Sequence, residues 1–116
     1  MASSKEYLQF ILEQLSGLEE INYRAMMGEY IIYYQGRIVG GIYDDRLLVK
    51  PTKSAVSYMA TATYELPYEG AKEMLLVEDV DSKEYLTGLF NAMYDELPVH
   101  KANNKKKSLN NLYTFQ

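Results

Sequence analysis

The chain contains no cysteine, and among its 116 residues there is a single histidine, His100. The first absence excludes disulfides, thiol catalysis and thiolate-bound zinc, and it fits a reducing compartment. The second leaves no pair of imidazole ligands and no histidine base held by structured neighbours. No metal site and no serine-protease-like triad is therefore expected. Long apolar runs are missing too. The longest, Tyr30 to Tyr34, is far too short to span a bilayer, and the N-terminus lacks a charged segment followed by an apolar one. The expectation is a cytoplasmic protein with no membrane segment and no cofactor. Neither a P-loop nor a dinucleotide fingerprint is present, because Gly36-x-x-x-Gly40-Gly41 lacks the strand–turn–helix context those motifs need.

Basic charge is scarce in most of the chain. Residues 1–98 hold 8 basic and 16 acidic side chains, a net of −8. Residues 99–116 hold Lys101, Lys105, Lys106 and Lys107 and no acid, a net of +4. The reading is one acidic domain over 1–98 and a basic, mobile tail over 99–116. The acidic body should repel nucleic acid, so direct nucleic-acid contact is expected only through the Lys101–Lys107 tail. The apolar ending of the tail, Leu112, Tyr113 and Phe115, could dock on the body or on a neighbouring molecule.

What the chain does have is patterning. A helix is expected from about Ser4 to Ser16, with Ser3-x-x-Glu6 as a capping box and Gly17 as a left-handed stop. Its apolar stripe is Leu8, Ile11, Leu12 and Leu15. Alternation over Ile21–Met27, Glu29–Tyr34, Arg37–Tyr43 and Arg46–Lys50 predicts strands. Tyr30, Ile32 and Tyr34 should share one face, with Ile31 and Tyr33 on the other. Gln35-Gly36 and Asp44-Asp45 read as tight turns, and Gly40-Gly41 as a bulge or a close backbone approach. Pro51 ends the fourth strand. Thr52 or Ser54 caps a short helix whose buried stripe would be Ala55, Val56, Met59 and Ala60. Thr61–Leu66 could add a short strand and Met74–Glu78 another. Asp81-x-x-Glu84 reads as a second capping box for a last helix, Ser82–Leu97, with Pro98 beyond it. The sum is an α+β two-layer sandwich, an antiparallel sheet of about five strands with helices on one face. The opposite face would be free, and tyrosine suits such a half-wet surface.

Arg24, Met26, Met27, Gly28, Tyr30, Tyr33 and Gly36 reproduce the spacing Arg-x-Met-Phe-Gly-x-Tyr-x-x-Tyr-x-x-Gly, with Met27 at the Phe. Leu47-Leu48-Val49-Lys50 stands where a Leu-Tyr-x-Lys strand would follow. In this pattern, and in the order of elements over roughly residues 4–98, the chain resembles the TfoX/Sxy N-terminal domain family. The resemblance implies a secretion-chaperone-like sandwich, helix–three strands–helix–two strands–helix. It also implies a role in regulation, since full-length relatives are positive regulators of competence genes that carry a second domain. A stand-alone N-terminal domain is the expectation here, with no catalytic residues to carry over.

The candidate binding residues are Arg24, Tyr30, Tyr33 and Lys50; Met26, Met27, Gly28 and Gly36 are read as the structural motif. For Arg24 the functional reading is an anion or partner contact. The structural one, preferred, is a partly buried ion pair with Glu29 or another carboxylate. Lys50 could join Arg24 in a small basic site, but surface lysine is the simpler reading. Met26 and Met27 could offer an adaptable surface, with core filling preferred. Gly28 is read as a turn residue. No enzyme activity is expected. The leading reading is a regulatory or adaptor domain acting on a protein partner or as a homodimer. Its rivals are a chaperone-like binder of an extended peptide and an enzyme with a site near Arg24 and Lys50.

Overall fold

The computed structural model describes residues 3–98. His100, the lysine-rich tail and its apolar ending lie outside the described residues. The elements run α1 (Lys5–Gln14), β1 (Ile21–Met26), β2 (Glu29–Tyr34), β3 (Arg37–Ile42), β4 (Leu47–Val49), α2 (Lys53–Tyr58), β5 (Tyr64–Glu65), β6 (Met74–Leu76) and α3 (Lys83–Met93). A single 3-10 turn, Tyr94–Glu96, follows α3. The six strands form one antiparallel sheet in the order β1-β2-β3-β4-β6-β5. Four strands thus precede α2, one more than the resemblance implied, because the segment after Asp45 pairs with both β3 and β6.

Three hairpin turns set the register of the first four strands. Their central residues are all left-handed: Met27 (φ 53) and Gly28 (φ 85), Gln35 (φ 51) and Gly36 (φ 81), Asp44 (φ 54) and Asp45 (φ 55). Turns of this hand match the twist of the flanking strands, which explains why two-residue loops suffice. The register shifts at Ile32/Tyr33, where Ile32 faces Gly40 but Tyr33 faces Ile38. The extra residue is Val39, one position before the Gly40-Gly41 pair expected to hold a bulge. The alternative reading of that pair, a close approach, holds: a Cβ on Gly40 would run into the Leu48 carbonyl.

Alternate residues of the sheet face the helices. Ile32, Tyr34, Val39, Ile42, Leu47, Val49, Leu75 and Val77 join one core with Leu8, Ile11 and Leu15 of α1, Ala55 of α2 and Leu86, Leu89, Phe90 and Met93 of α3. Arg37 fastens the end of the last helix. Its Nη1 donates to the carbonyls of Tyr94 at 3.1 Å and Leu97 at 3.2 Å, with the guanidinium 4.4 Å above the Tyr94 ring. A cation there offsets the negative helix end.

Several local expectations are corrected. The caps are Ser4 and Ser82, each one residue later than the boxes placed them. Their hydroxyls accept the amides of Tyr7 at 3.1 Å and Tyr85 at 3.2 Å. Each helix has a tyrosine where a reciprocal glutamate would stand. Ser3 serves instead as a tie to the sheet: its hydroxyl lies 2.9 Å from Glu29 Oε1 and accepts the Asp45 amide at 3.1 Å. Gly17 does not take the left-handed conformation; Glu20 does, at φ 60. Helix α1 ends instead in tight turns, with Leu15 N–H to Leu12 O at 3.2 Å and Ser16 N–H to Glu13 O at 3.2 Å. In α2, Thr52 is the cap, and Ala55 and Met59 are buried, but Val56 and Ala60 are exposed. The helix stops at Tyr58, so its stripe cannot continue.

The sheet face away from the helices is not all free. Leu48 is fully buried yet stands outside the helix-side core. Strand parity puts it on the opposite face with Gly41, its register partner, and with Tyr43. That end of the face is roofed by the Tyr43 ring and the segment 66–73, whose Tyr68 packs on Tyr43 with ring centroids 6.2 Å apart. The sequence missed this cover because 66–73 has no periodicity to read. Among the described residues, the exposed part of the face lies on β1.

Candidate interaction surface

Among the described residues, strand β1 is one of the two edge strands of the sheet, hydrogen-bonded to β2 on one side only. Every residue from Asn22 to Met26 is exposed, so both its faces and one row of backbone groups meet solvent. Folded proteins usually blunt such an edge with charge, proline or a bulge, because it is a template for another strand. Here its one charged residue is Arg24. The hairpin tip carries Met27, 95% exposed, beside Met26 at 48%. Neither methionine fills the core, as preferred from the sequence, because the tight Met27-Gly28 turn carries them past the helix layer. Gly28 supplies the positive φ of that turn, and Gly36 does the same at the next.

On the helix side, Tyr23 sits opposite Ile32 and makes an edge-on contact with the Tyr30 ring, centroids 5.9 Å apart. Tyr30 packs against the core; Tyr23 remains 47% exposed. Next to it a cleft of about 430 Å³ opens between α1 and β1, with Leu12, Leu18 and Ile21 among its walls. On the other side of the sheet, Arg24 faces Ile31 and Asn22 faces Tyr33.

The four candidate binding residues do not converge. Tyr30 belongs to the helix side and Tyr33 to the opposite side. Arg24 is exposed and makes no ion pair among the described residues, which overturns the expected buried pair. Glu29 is already occupied, by Ser3 and by the Asp44 amide at 3.2 Å. Lys50 follows β4, three strand positions from β1, or roughly 14 Å at ordinary strand spacing. It lines a groove in which Arg24 takes no part. No shared basic site joins the two. Among the described residues no three His, Cys, Asp or Glu side chains converge as metal ligands, and no helix is long and apolar enough to cross a membrane.

The surface residues that sequence reasoning passed over are Tyr23 and Leu18. Tyr23 lies within β1 and Leu18 just before it, and the sheet edge that gives them their place was not readable from local pattern.

Residues 13–92 match the family model for the TfoX N-terminal domain. The chain is also 31% identical over 80 residues to the "Uncharacterized 12.7 kDa protein in trpE 5'region" of Spirochaeta aurantia, an alignment covering 69% of this chain and 70% of that protein. No solved structure matches significantly.

Proposed function

Because the chain belongs to the TfoX N-terminal domain family, we propose that it is a regulatory domain working by protein–protein contact through β1. The observation that carries this is the bare edge: six residues of strand, five of them exposed, bordered by Tyr23, Met26 and Met27. An added strand would satisfy its free backbone groups, and methionine and tyrosine would adapt to the partner's side chains. No chemistry of its own is assigned to the domain.

A second copy of this chain is the partner we favour. A two-fold axis normal to the sheet must set residues of like face against each other. A register centred on Arg24 would oppose two guanidinium groups. One centred on Tyr23 pairs the two tyrosines and sets Asn22 against Arg24, which avoids that repulsion. Capture of an extended peptide by the same edge is the second reading, favoured by the same free backbone groups.

Multi-angle light scattering across a concentration series tests the proposal. The wild type should approach twice the 13.4 kDa chain mass, and Tyr23→Glu should return it to one chain. A wild type that stays monomeric, and shows no β1 amide protection in hydrogen exchange with any captured partner, would sink both readings.

A further inference from the structure

A second feature lies at the far end of the sheet, independent of the β1 edge. A groove of about 480 Å³ opens between the β4 end and the segment 66–73. Tyr43, Tyr68, Pro51, Pro67, Lys50 and Lys72 are among the residues that line it. The volume is that of a small-molecule site.

The groove is built. Its floor depends on Gly41: a Cβ there would stand 2.8 Å from the Tyr43 ring and 2.6 Å from the Tyr30 carbonyl. Only a bare Cα lets the tyrosine lie down on the sheet. Its two walls are joined by Arg46, whose Nε donates to the Tyr43 carbonyl at 3.1 Å. Nη1 of the same side chain pairs with Glu65 at 2.7 Å, and Nη2 reaches the Pro67 carbonyl at 3.5 Å. Burial, then the neighbouring Tyr68, then Glu29, push the Tyr43 hydroxyl above its usual range.

The charges point to an anion. The body has twice as many acids as bases, yet two of its eight bases line this one groove. Among the described residues neither Lys50 nor Lys72 has an ion-pair partner. Glu73 is the carboxylate among the lining residues, at the exposed rim. Rings and prolines offer stacking surfaces to a flat ligand.

We propose that this groove binds a small planar aromatic anion, an aromatic ring carrying a carboxylate or phosphate. The ring would stack on Tyr43 and Tyr68, and the anionic group would lie between Lys50 and Lys72.

The test is titration of the full-length chain with phenyl phosphate, followed by amide chemical shifts and calorimetry at low salt. Shifts should centre on residues 43, 50 and 66–74. Phenol and inorganic phosphate should each bind at least about tenfold more weakly, since each supplies half of the contact. Lys50→Gln, Lys72→Gln and Tyr68→Ala should each weaken phenyl phosphate by about fivefold or more, while Lys53→Gln, outside the groove, should not. Inorganic phosphate binding as tightly as phenyl phosphate would overturn the proposal. So would shifts confined to Lys101–Lys107, or affinity unchanged from wild type in both lysine variants. A tyrosine-phosphorylated peptide binding more than about tenfold tighter would reassign the groove to a peptide and overturn the small-molecule reading.

Discussion

Arg46 ties two stretches of chain that are distant in sequence, its own turn through the Tyr43 carbonyl and the segment 65–67 through the Glu65 carboxylate and the Pro67 carbonyl. Its ion pair is about one-third exposed on each side, so solvent screening keeps the charge contribution small, and the hydrogen bonds to carbonyls carry the rest. Arg46→Gln should cost about 1–2 kcal/mol in urea denaturation; no change would mean that the loop holds without it. Glu96 makes a different kind of single-residue contact. Its carboxylate accepts the Ser54 amide at 3.0 Å in the first turn of α2. The backbone bond to Ser54, with help from its side chain, from Thr52 and from Lys53, lowers the Glu96 pKa. A lowered folded pKa means stability that is present above the ordinary carboxylate value and lost as pH falls through the folded one. The melting temperature of Glu96→Gln should therefore lie below wild type at neutral pH, with the gap closing in acid. A gap that persists unchanged below the carboxylate range would show that the charge is not the cause. Neither contact was legible in the sequence. Arg46 and Glu65 are 19 residues apart, and no local pattern links them. The helix caps were legible only to within a residue, because Ser3 and Ser4 are equally good capping types and tertiary bonds to Glu29 and Asp45 decide between them.

At the scale of elements, β4 is the strand whose environment departs furthest from the reading of its sequence. Leu47, Leu48 and Val49 are all fully buried, whereas one face was expected to be open. Leu48→Ala should therefore cost about 2–5 kcal/mol, as in a closed core. Ile31→Ala, on the same side of the sheet but only partly buried, should cost less than half as much. Chemical denaturation of the pair would settle it: equal losses would contradict the roof over β4. Strand β2 came through residue for residue, as did the turn after it, because the segment is rich in isoleucine and tyrosine and ends at a Gln35-Gly36 pair that can take positive φ. Alternation is a local signal. It reports that one side of a strand is buried but is silent on what a distant loop later lays over the other side. For the same reason the candidate residues Arg24 and Lys50 read as neighbours in a motif and fold onto strands three positions apart.

For the whole molecule, charge decides how a contact through β1 should respond to salt. The net charge of −8 over residues 1–98 makes two bodies repel at long range, while the edge itself is apolar or uncharged apart from Arg24. Bringing two such edges together buries methionine and tyrosine side chains and backbone groups, none of which salt weakens. What salt does weaken is the repulsion between bodies, since added ions screen exposed charges beyond roughly 10 Å at 0.1 M. Self-association through β1 should therefore tighten as sodium chloride rises from about 10 to 150 mM. A contact made by the lysines at 101–107 against an acidic body would respond in the opposite sense, because screening removes an attraction. Sedimentation across that range separates the two by sign alone. Tightening that disappears in Tyr23→Glu would place the contact at the edge strand; weakening that disappears when Lys105, Lys106 and Lys107 become Gln would place it in the tail and reject β1 as the interface.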